Sequence, residues 1–394
     1  MRYTLYVTTL YCILYFISLA FVARVHGHWW QKIWLRRLLF GQLPLALIGS
    51  SLWLLSRSYE LAWLLSIGWG LFAVLFLLQC SFLIALLLTT PTVLLSKLYD
   101  RLRPGPDEAP TSLERRHFLR RSLAIAPAIG VAGVGHGVYE SHATTRLPAV
   151  QLAFANLPSE LEGLKILQIS DIHIGPYLQL SDLEKLLERA DSIAPDLILV
   201  TGDICDHKPD YLAALRLLEN APARFGIYAS LGNHEYIRGI RRIRGHFDKT
   251  TIPLLVDEGL SIPVGGATLF LGGADDPRSL RSEESYRRLR NSVEKALLEA
   301  TSKDFTLLMS HRPQALDYAA PLGGVDLILA GHTHGFQFGL GGRSVFEPVF
   351  PERYIWGHYA KEDTQLYTSA GVGHWLPFRF GCPPEAPVFT LHRA

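Results

Sequence analysis

Cysteine is scarce in this chain of 394 residues, which contains only four. Cys12 and Cys80 fall within apolar segments, whereas Cys205 and Cys382 are far apart and form no Cys-x-x-Cys pair. This scarcity argues against a disulfide framework and against a thiolate zinc site. Cys205 lies close to Asp203 in sequence, but we interpret it as a small residue in a loop rather than as a metal ligand.

Charged residues are also few, at 19% of the chain, and they are unevenly distributed. Residues 1–145 contain 13 Lys and Arg against 6 Asp and Glu, whereas the remaining residues contain 25 against 30. The total net charge of +2 therefore describes neither part of the chain. Together with the length, this division predicts more than one domain, the first of them basic.

Three N-terminal segments carry no charge at all, and they span residues 3–23, 38–56 and 61–90. Because about 20 apolar residues suffice to cross a bilayer, we predict three transmembrane helices within residues 1–98. Three such runs in succession argue against buried helices of a soluble protein. Pro44 is tolerated in a membrane helix, and the third segment is long enough to tilt or to end along the interface.

Basic residues predict the orientation of these helices. The first loop carries Arg24, Lys32, Arg36 and Arg37, and the second carries only Arg57, beside Glu60. The stretch after the third segment carries Lys97, Arg101, Arg103, Arg115, Arg116, Arg120 and Arg121. Since positively charged loops stay in the cytoplasm, the first and third loops are expected inside and the N-terminus outside.

A basic linker, predicted over 99–145, contains Arg115-Arg116-His117-Phe118-Leu119-Arg120 ahead of an uncharged, weakly apolar segment at 122–139. This order resembles the twin-arginine export signal. One interpretation is a fourth crossing after passage through the twin-arginine machinery, with the following domain in the periplasm. The other is a cytoplasmic basic anchor followed by a linker. Residues 141–143 form a weak candidate cleavage site, and we favour retention as an anchor of a multi-pass inner-membrane protein.

From about residue 150, the pattern becomes that of an α/β domain. Five apolar runs predict strands that each end at a polar motif, at 164–170, 196–201, 225–231, 305–309 and 325–330. Helices are predicted over 181–193, with Ser181 as N-cap, and over about 210–220, and closing strands over 366–370 and 388–392. The Gly-, Pro- and aromatic-rich segment 336–365 is interpreted as a loop that helps to select the substrate, with a packing role as the alternative.

The five polar motifs share a chemistry that suits divalent cations. They are Asp171-Ile-His173, Gly202-Asp203, Gly232-Asn233-His234-Glu235, Ser310-His311 and Gly331-His332-Thr333-His334. In an α/β sheet the strand ends line one edge, so side chains far apart in sequence converge there. Oxygen and imidazole ligands suit hard and borderline cations, and this set is large enough for two. A single motif has ordinary explanations, such as a helix cap, a core histidine or a turn.

These motifs, in this order, resemble the calcineurin-like metallophosphoesterase superfamily. Its pattern is D-x-H, GD-x-x-D, GNH followed by Asp or Glu, a lone His, and GH-x-H, and no block is missing over about 160–392. With its apolar segments, the chain looks like the membrane-attached bacterial branch. The resemblance implies a four-layer α/β/β/α sandwich at 146–394, preceded by an all-α transmembrane region.

The resemblance also implies a role for each residue. Asp171, His173 and His334 would hold one metal ion, Asn233, His311 and His332 a second, and Asp203 would bridge both through its two carboxylate oxygens. His234 would face the substrate and stabilise the phosphoryl group or protonate the leaving oxygen. Asp206 and Glu235 would orient His side chains. Mixed Asp, Asn and His ligation suits Mn, Fe or Zn better than Mg or Ca.

The resulting hypothesis is a membrane-anchored phosphoesterase that hydrolyses a phosphodiester or pyrophosphate bond. Membrane attachment favours a lipid-linked or envelope substrate, and no nucleic acid partner is expected. The alternatives are a membrane sensor or scaffold with a non-catalytic domain and a transporter with a regulatory domain. The presence of a suitable residue at every ligand position argues against a non-catalytic domain. A transporter is disfavoured because there are only four candidate crossings and none contains a charged residue. Arg238, Arg241, Arg242 and Arg244 are interpreted as a solvated helix face, with contact of one of them to a substrate phosphate as the alternative. His207, His246, His358 and His374 are interpreted as ordinary histidines, although His374 lies in a Gly-rich loop and is the one of interest.

Overall fold

The structure is a computed structural model that describes residues 2–59, 61–102, 110–374 and 376–394. The chain divides into two units, of which the first comprises Met1–Tyr139 with Leu376–Phe378. The second comprises Glu140–Trp375 with Arg379–Ala394.

The first unit is helical. Its helices are α1 (Arg2–Arg24), α2 (Gly27–Trp30), α3 (Ile33–Tyr59), α4 (Ala62–Leu102) and α5 (Pro110–Ser141). Among the described residues, three helices are long and apolar enough to cross a membrane, over Thr4–Arg24, Ile33–Ser56 and Trp63–Leu95. The three predicted apolar helices are therefore present, and the third extends beyond the length that one crossing needs. Residues 122–139 lie within α5, which is not one of the three.

Small residues let α3 and α4 pack closely. A Cβ atom on Gly68 would lie 2.5 Å from the backbone nitrogen of Trp53, so only glycine fits there. Tyr11, Trp53 and Phe72 form a buried aromatic cluster beside this contact. Residues 103–109 of the predicted basic linker lie outside the described residues, as do the side chains of the twin-arginine-like element at 115–120.

Two six-stranded sheets form the centre of the second unit. The first has the order β1-β14-β2-β3-β4-β5 and the second β12-β13-β9-β8-β7-β6, with β10 and β11 as a separate pair. The strands are β1 (Ala149–Phe154), β2 (Lys165–Ile169), β3 (Leu197–Thr201), β4 (Ile227–Ser230), β5 (Leu254–Leu255), β6 (Glu258–Val264), β7 (Ala267–Ala274), β8 (Phe305–Ser310), β9 (Leu327–Ala330), β10 (Gly339–Leu340), β11 (Arg343–Ser344), β12 (Gly357–Lys361), β13 (Thr364–Thr368) and β14 (Val388–Arg393).

Parallel pairing places the strand ends that carry the polar motifs at a common edge in each sheet. Strands β2, β3 and β4 are parallel neighbours in the first sheet, as are β7, β8 and β9 in the second. In each sheet the carboxyl ends of these strands therefore meet at one edge, where ligands bind in α/β proteins.

Helices cover the outer face of each sheet. They are α6 (Leu180–Asp191), α7 (Tyr211–Glu219), α8 (Asn233–Arg238), α9 (Ile240–Phe247), α10 (Glu283–Ala296) and α11 (Leu316–Ala319). Alternate residues of each strand point to opposite faces, so Leu167 packs with α6, α7 and α9, whereas Ile166 faces the second sheet. Helices α10 and α11 pack on the far side through a third core. These layers confirm the predicted α/β/β/α sandwich.

Some local predictions were wrong. Helix α6 begins at Leu180 after Gln179, not at a Ser181 cap, because the Asp182 carboxylate accepts a hydrogen bond from the Gln179 backbone N–H (2.9 Å). Segment 336–365 is not one irregular loop, since it contains β10, β11 and β12. Strand β12 was hidden because it lies at a sheet edge and is half exposed, so its apolar periodicity is weak.

Candidate metal centre

The predicted metal ligands follow strands of both sheets. Asp171 and His173 follow β2, Asp203 follows β3, and Asn233 opens α8 after β4. From the second sheet, His311 follows β8, and His332 and His334 follow β9. Two sheet edges thus contribute to one cluster, and the motifs that are far apart in sequence are brought together.

The first group consists of Asp171, His173 and His334, whose potential ligand atoms all lie within 4.8 Å of one another. Nε2 of His173 lies 3.2 Å from Nε2 of His334, and Nε2 of His334 lies 3.3 Å from Oδ1 of Asp171. All three side chains are buried. Two ring nitrogens that face each other beside a carboxylate oxygen are arranged as a set of cation ligands.

A second group consists of Asp203, His311 and His332, also within 4.8 Å. Oδ2 of Asp203 lies 3.3 Å from Nε2 of His311 and 3.6 Å from Nε2 of His173, so it stands between the two groups. The other oxygen, Oδ1, accepts a hydrogen bond from the His234 backbone N–H (2.8 Å). Oδ2 is therefore the Asp203 oxygen that lies near both groups, and the expected bridge through both carboxylate oxygens stays a prediction.

Several buried polar atoms at this centre have no protein partner among the described residues. They are Oδ1 of Asn233, Nε2 of His311 and Nδ1 of His334. Nδ1 of His311 donates to the Thr201 carbonyl (2.8 Å), which leaves Nε2 facing the Asp203 carboxylate inside the cluster. A buried polar atom without a partner costs about 1–3 kcal/mol. A cation held by Asn233 and His311 would remove this cost at Oδ1 of Asn233 and Nε2 of His311, so the residues present fit a metal site.

The backbone at the centre is strained. Five of the seven predicted ligands have φ between 51° and 72°, namely Asp171, His173, Asp203, His332 and His334. Side chains other than glycine rarely adopt this left-handed region, and each instance costs about 1–3 kcal/mol. Strain concentrated on the candidate ligands is typical of a functional site.

Glycine permits the two sheet edges to approach each other. A Cβ atom on Gly331 would lie 2.0 Å from Oγ of Ser170 and 2.2 Å from Oδ2 of Asp171. That carboxylate also accepts a hydrogen bond from Oγ of Ser170 (2.6 Å) and one from the His332 backbone N–H (3.0 Å to Oδ2). Gly331 is therefore required for the position of Asp171.

Electrostatic interactions within the cluster oppose the effect of burial. Burial would raise the pKa of the Asp171 and Asp203 carboxyls, but neighbouring histidines hold both below their usual values. Burial would lower the pKa of His311, but Asp203 and Asp171 raise it to about 10. His332 is the exception, because burial and the adjacent Arg312 act in the same direction and lower its pKa well below the ordinary value.

His234 lies beside the metal ligands and lines the cleft. Its Nδ1 donates to Oδ1 of Asp206 (2.6 Å), which leaves Nε2 for a ligand. The other oxygen of Asp206 accepts from Nδ1 of His173 (3.2 Å), and Nη2 of Arg238 lies 2.9 Å from Oδ1. Asp206 therefore orients two histidines, as predicted. Burial opposes protonation of His234, but Asp203 and Asp206 raise its pKa to about 9.

Glu235 does not orient a histidine, which corrects the expected role. Its carboxylate accepts hydrogen bonds from the backbone N–H groups of Asp203, Ile204 and Gly232, at 2.8–2.9 Å. The Tyr211 hydroxyl donates to the same carboxylate (3.1 Å). Glu235 thus fixes the backbone that carries Asp203.

Two arginines at the centre were not identified from the sequence. Arg379 is fully buried and donates to the carbonyls of Ala370, Gly371 and Gly373 at 2.6–3.2 Å. The backbone N–H of Gly373 in turn donates to the Asp171 carbonyl (2.8 Å). The second, Arg312, contacts Nε2 of His332 and pairs with Asp276. The signal in the sequence that could have identified Arg312 is its position directly after His311, a predicted ligand.

Other residues keep the predicted ordinary roles. Arg241, Arg242 and Arg244 are exposed on α9, so that helix face is solvated. Cys205 is buried and its Sγ donates to the His207 carbonyl (3.0 Å). His374 is buried, with its ring stacked on Tyr177, and it is not part of a potential ligand group among the described residues.

The centre opens into a cleft of about 840 Å³. His173, Asp203, Asn233, His332 and His334 line it, together with His234. Phe336 and Arg353, from the segment predicted to select the substrate, line the same cleft. A cleft of this size accommodates a ligand much larger than inorganic phosphate.

Comparisons with known proteins place the C-terminal domain in a family. Residues 164–336 match the family model of the calcineurin-like phosphoesterases. An uncharacterized metallophosphoesterase of Aquifex aeolicus is 30% identical over 263 residues, which cover 65% of this chain and 95% of that protein. A protein of Caenorhabditis elegans named as a metallophosphoesterase is 29% identical over 283 residues, covering 69% of this chain and 57% of its own length.

The chain is also similar to a relative that is named as a transmembrane protein. The transmembrane protein with metallophosphoesterase domain of Danio rerio is 27% identical over 316 residues, which cover 76% of this chain and 68% of that protein. The chain therefore spans little more than half of the worm relative and about two thirds of the fish relative.

Proposed function

Because the chain belongs to the calcineurin-like phosphoesterase family, we propose that its C-terminal domain hydrolyses a phosphoester bond with two divalent cations. One observation carries the proposal: the Asp203 carboxylate lies between two groups of ligand atoms that open into a cleft. Asp171, His173 and His334 would hold one cation, Asn233, His311 and His332 the other, and Asp203 both.

The cations account for one part of the chemistry. When bound at such a site, they neutralise the charge of the phosphate and lower the pKa of a water molecule. The ligand set suits Mn, Fe or Zn.

His234 accounts for a second part. In the hydrolysis, a water oxygen forms a bond to phosphorus, the bond to the leaving oxygen breaks, and that oxygen takes up a proton. Nε2 of His234 faces the cleft while Asp206 fixes the ring, so this histidine is placed to stabilise the phosphoryl group or to supply that proton.

The membrane helices support a substrate at a membrane. We propose that the chain is a multi-pass inner-membrane protein with its catalytic domain in the periplasm, exported by the twin-arginine machinery, and that the phosphoester is lipid-linked. Reporter fusions at residues 58, 105 and 150 check the orientation. Activity of a cytoplasm-only reporter at residue 150 would contradict the periplasmic placement.

Turnover of a chromogenic phosphodiester checks the catalytic proposal. The purified full-length protein in detergent, supplied with Mn, Fe or Zn, is expected to hydrolyse bis(p-nitrophenyl) phosphate. His234→Ala is expected to lower kcat by about 10²–10⁴-fold, the range for loss of a general acid or base. His358→Ala, an exposed histidine on β12, is the control. Equal inactivity of wild type and His234→Ala with every metal would favour a sensor or scaffold.

A further inference from the structure

The lining of the cleft is rich in arginine. Arg278, Arg281, Arg312 and Arg353 all contribute to it. They come from three segments: the loop between β7 and α10, the residue after His311, and the turn Pro351–Arg353. Since like charges repel, four guanidinium groups around one cleft favour an anionic ligand unless carboxylates neutralise them.

Carboxylates neutralise only part of this charge. Arg312 pairs with the buried Asp276, with Nε 2.6 Å from Oδ2. Asp317, which also lines the cleft, pairs instead with Lys361 (2.7 Å). Within the described parts of the chain, no carboxylate oxygen lies within 4.0 Å of a side-chain nitrogen of Arg278, Arg281 or Arg353, although Glu352 lines the same cleft.

The contrast with neighbouring arginines is informative. On α10, Arg288 pairs with Glu284 (2.5 Å) and Arg290 with Glu294 (2.9 Å), each one turn away. Those arginines form an ordinary solvated helix face. Arg278 and Arg281 precede the same helix, but they lie at the cleft and have no such partner among the described residues.

Asp276 connects these arginines to the metal centre. Its carboxylate binds the Arg312 side chain and accepts a hydrogen bond from the Arg278 backbone N–H (2.5 Å). Arg312 also contacts Nε2 of His332, a predicted metal ligand. Arg278 has φ 66°, a conformation that costs a non-glycine residue about 1–3 kcal/mol. The loop is therefore held in a strained conformation directly beside the reacting centre.

We propose that Arg278, Arg281 and Arg312 form a subsite for a second phosphoryl group of the substrate. The inference rests on the proposed phosphoesterase function and narrows it to substrates with a pyrophosphate bridge. A guanidinium group donates two parallel hydrogen bonds to phosphate oxygens, and its permanent charge stabilises the anion. In the reaction, a water oxygen bonds to one phosphorus, the bridging oxygen leaves with the electron pair of its P–O bond, and the arginines hold the departing phosphate. One proton of the water stays with the new phosphoryl oxygen, and the other passes to solvent or to the oxygen of the departing phosphate.

Two substrates that differ by one phosphoryl group test this subsite. In one, two adenosines are joined 5′ to 5′ by two phosphoryl groups, and in the other by a single one. The full-length protein in detergent is assayed with Mn, and kcat/KM is measured for each substrate. The double variant Arg278→Ala/Arg281→Ala is compared with Arg287→Ala, which removes an exposed arginine of α10 that is not in the cleft.

In the wild type we expect a preference for the substrate with two phosphoryl groups. Because a hydrogen bond to a charged group contributes about 1.5–3 kcal/mol, the double variant should reduce this preference by about 10-fold or more. Arg287→Ala should leave the preference unchanged, and thermal unfolding of each variant checks that it is folded.

Each other outcome has a distinct meaning. An equal loss on both substrates, no loss on either, or a wild-type preference for the single phosphoryl group overturns the subsite while the proposed function stands. Failure of the wild type to hydrolyse either substrate, with any of the three metals, contradicts the proposed function and the subsite together.

Discussion

Asp206 holds the ring of His234 through a hydrogen bond of 2.6 Å between Oδ1 and Nδ1, while its other oxygen lies 3.2 Å from Nδ1 of His173. One carboxylate therefore sets the orientation of a proposed metal ligand and of the proposed catalytic histidine. It belongs to the GD-x-x-D motif, three residues after Asp203. This contact gives the last acidic residue of the motif a structural role.

Replacement of Asp206 should impair catalysis more than stability. In Asp206→Asn, both histidines lose a charged acceptor, and kcat/KM should fall by about 10–100-fold, as for other residues that orient metal ligands. Asp210→Asn is a matched control, because Asp210 makes a similar pair with His207 (2.8 Å) outside the ligand groups. Steady-state kinetics of both variants checks the prediction, and equal effects would contradict it.

Loss of His311 should remove one of two bound metal ions. His311 is buried and its Nε2 faces Asp203, so no neighbouring side chain can replace this ligand. Elemental analysis after dialysis should give about two metal ions per wild-type chain and about one for His311→Ala. His358→Ala should retain both ions. A stoichiometry unchanged in His311→Ala would remove this residue from the metal site.

Gly331→Ala should act on the metal site through Asp171. The added Cβ atom would lie 2.2 Å from Oδ2 of Asp171, so this carboxylate would have to shift from its position beside His334. We expect weaker metal binding and a loss of activity of about 10-fold or more, since small displacements of ligands have large effects. Gly245→Ala, on α9 with no atom within 4 Å of the added Cβ, is the control. Metal titrations of both variants distinguish a displaced ligand from a general loss of folding.

The strand-end motifs could be predicted because they are local in sequence. Asp171, Asp203 and Asn233 each come directly after an apolar run. A polar residue in that position is expected at the carboxyl edge of the sheet. The role of Arg379 could not be predicted in this way. Its guanidinium binds carbonyls of Ala370 and Gly373, and nothing in its own segment indicates that it is buried. The same holds for Glu235, whose acceptor role depends on the backbone of a different strand end.

Arg379 should contribute strongly to stability. Its replacement by Met would leave the buried carbonyls of Ala370, Gly373 and Cys382 without the donor that Arg379 supplies. Since each unsatisfied buried group costs about 1–3 kcal/mol, the free energy of unfolding should fall by about 3 kcal/mol or more. Arg290→Ala removes one partner of an exposed i,i+4 ion pair. It should change the free energy of unfolding by less than about 0.5 kcal/mol. Thermal unfolding in detergent measures both, and a similar Tm for the two variants would contradict this role.

The pH dependence of stability should reveal Asp326, which lies just before β9. Burial raises the pKa of this carboxyl to about 6 from a model-compound value of 3.8, although the Thr306 backbone N–H donates to Oδ2 (2.7 Å). Because the folded state then binds more protons than the unfolded state between about pH 4 and pH 6, stability falls as the pH rises through this window. Above pH 6 the ionised, partly buried carboxylate remains unfavourable.

Asp326→Asn should remove this pH-dependent loss, because an amide carries no charge and its oxygen can still accept from Thr306. At pH 7.5 the variant should be more stable than the wild type by about 1–2 kcal/mol, after allowance for partial solvent exposure. Near pH 4 the two proteins should unfold at similar temperatures, since the wild-type carboxyl is then protonated. Asp304→Asn, in the turn before β8, is the control for a general effect of charge. Unfolding curves from pH 4 to pH 8 measure the difference, and a constant difference in Tm across this range would contradict the assignment to Asp326.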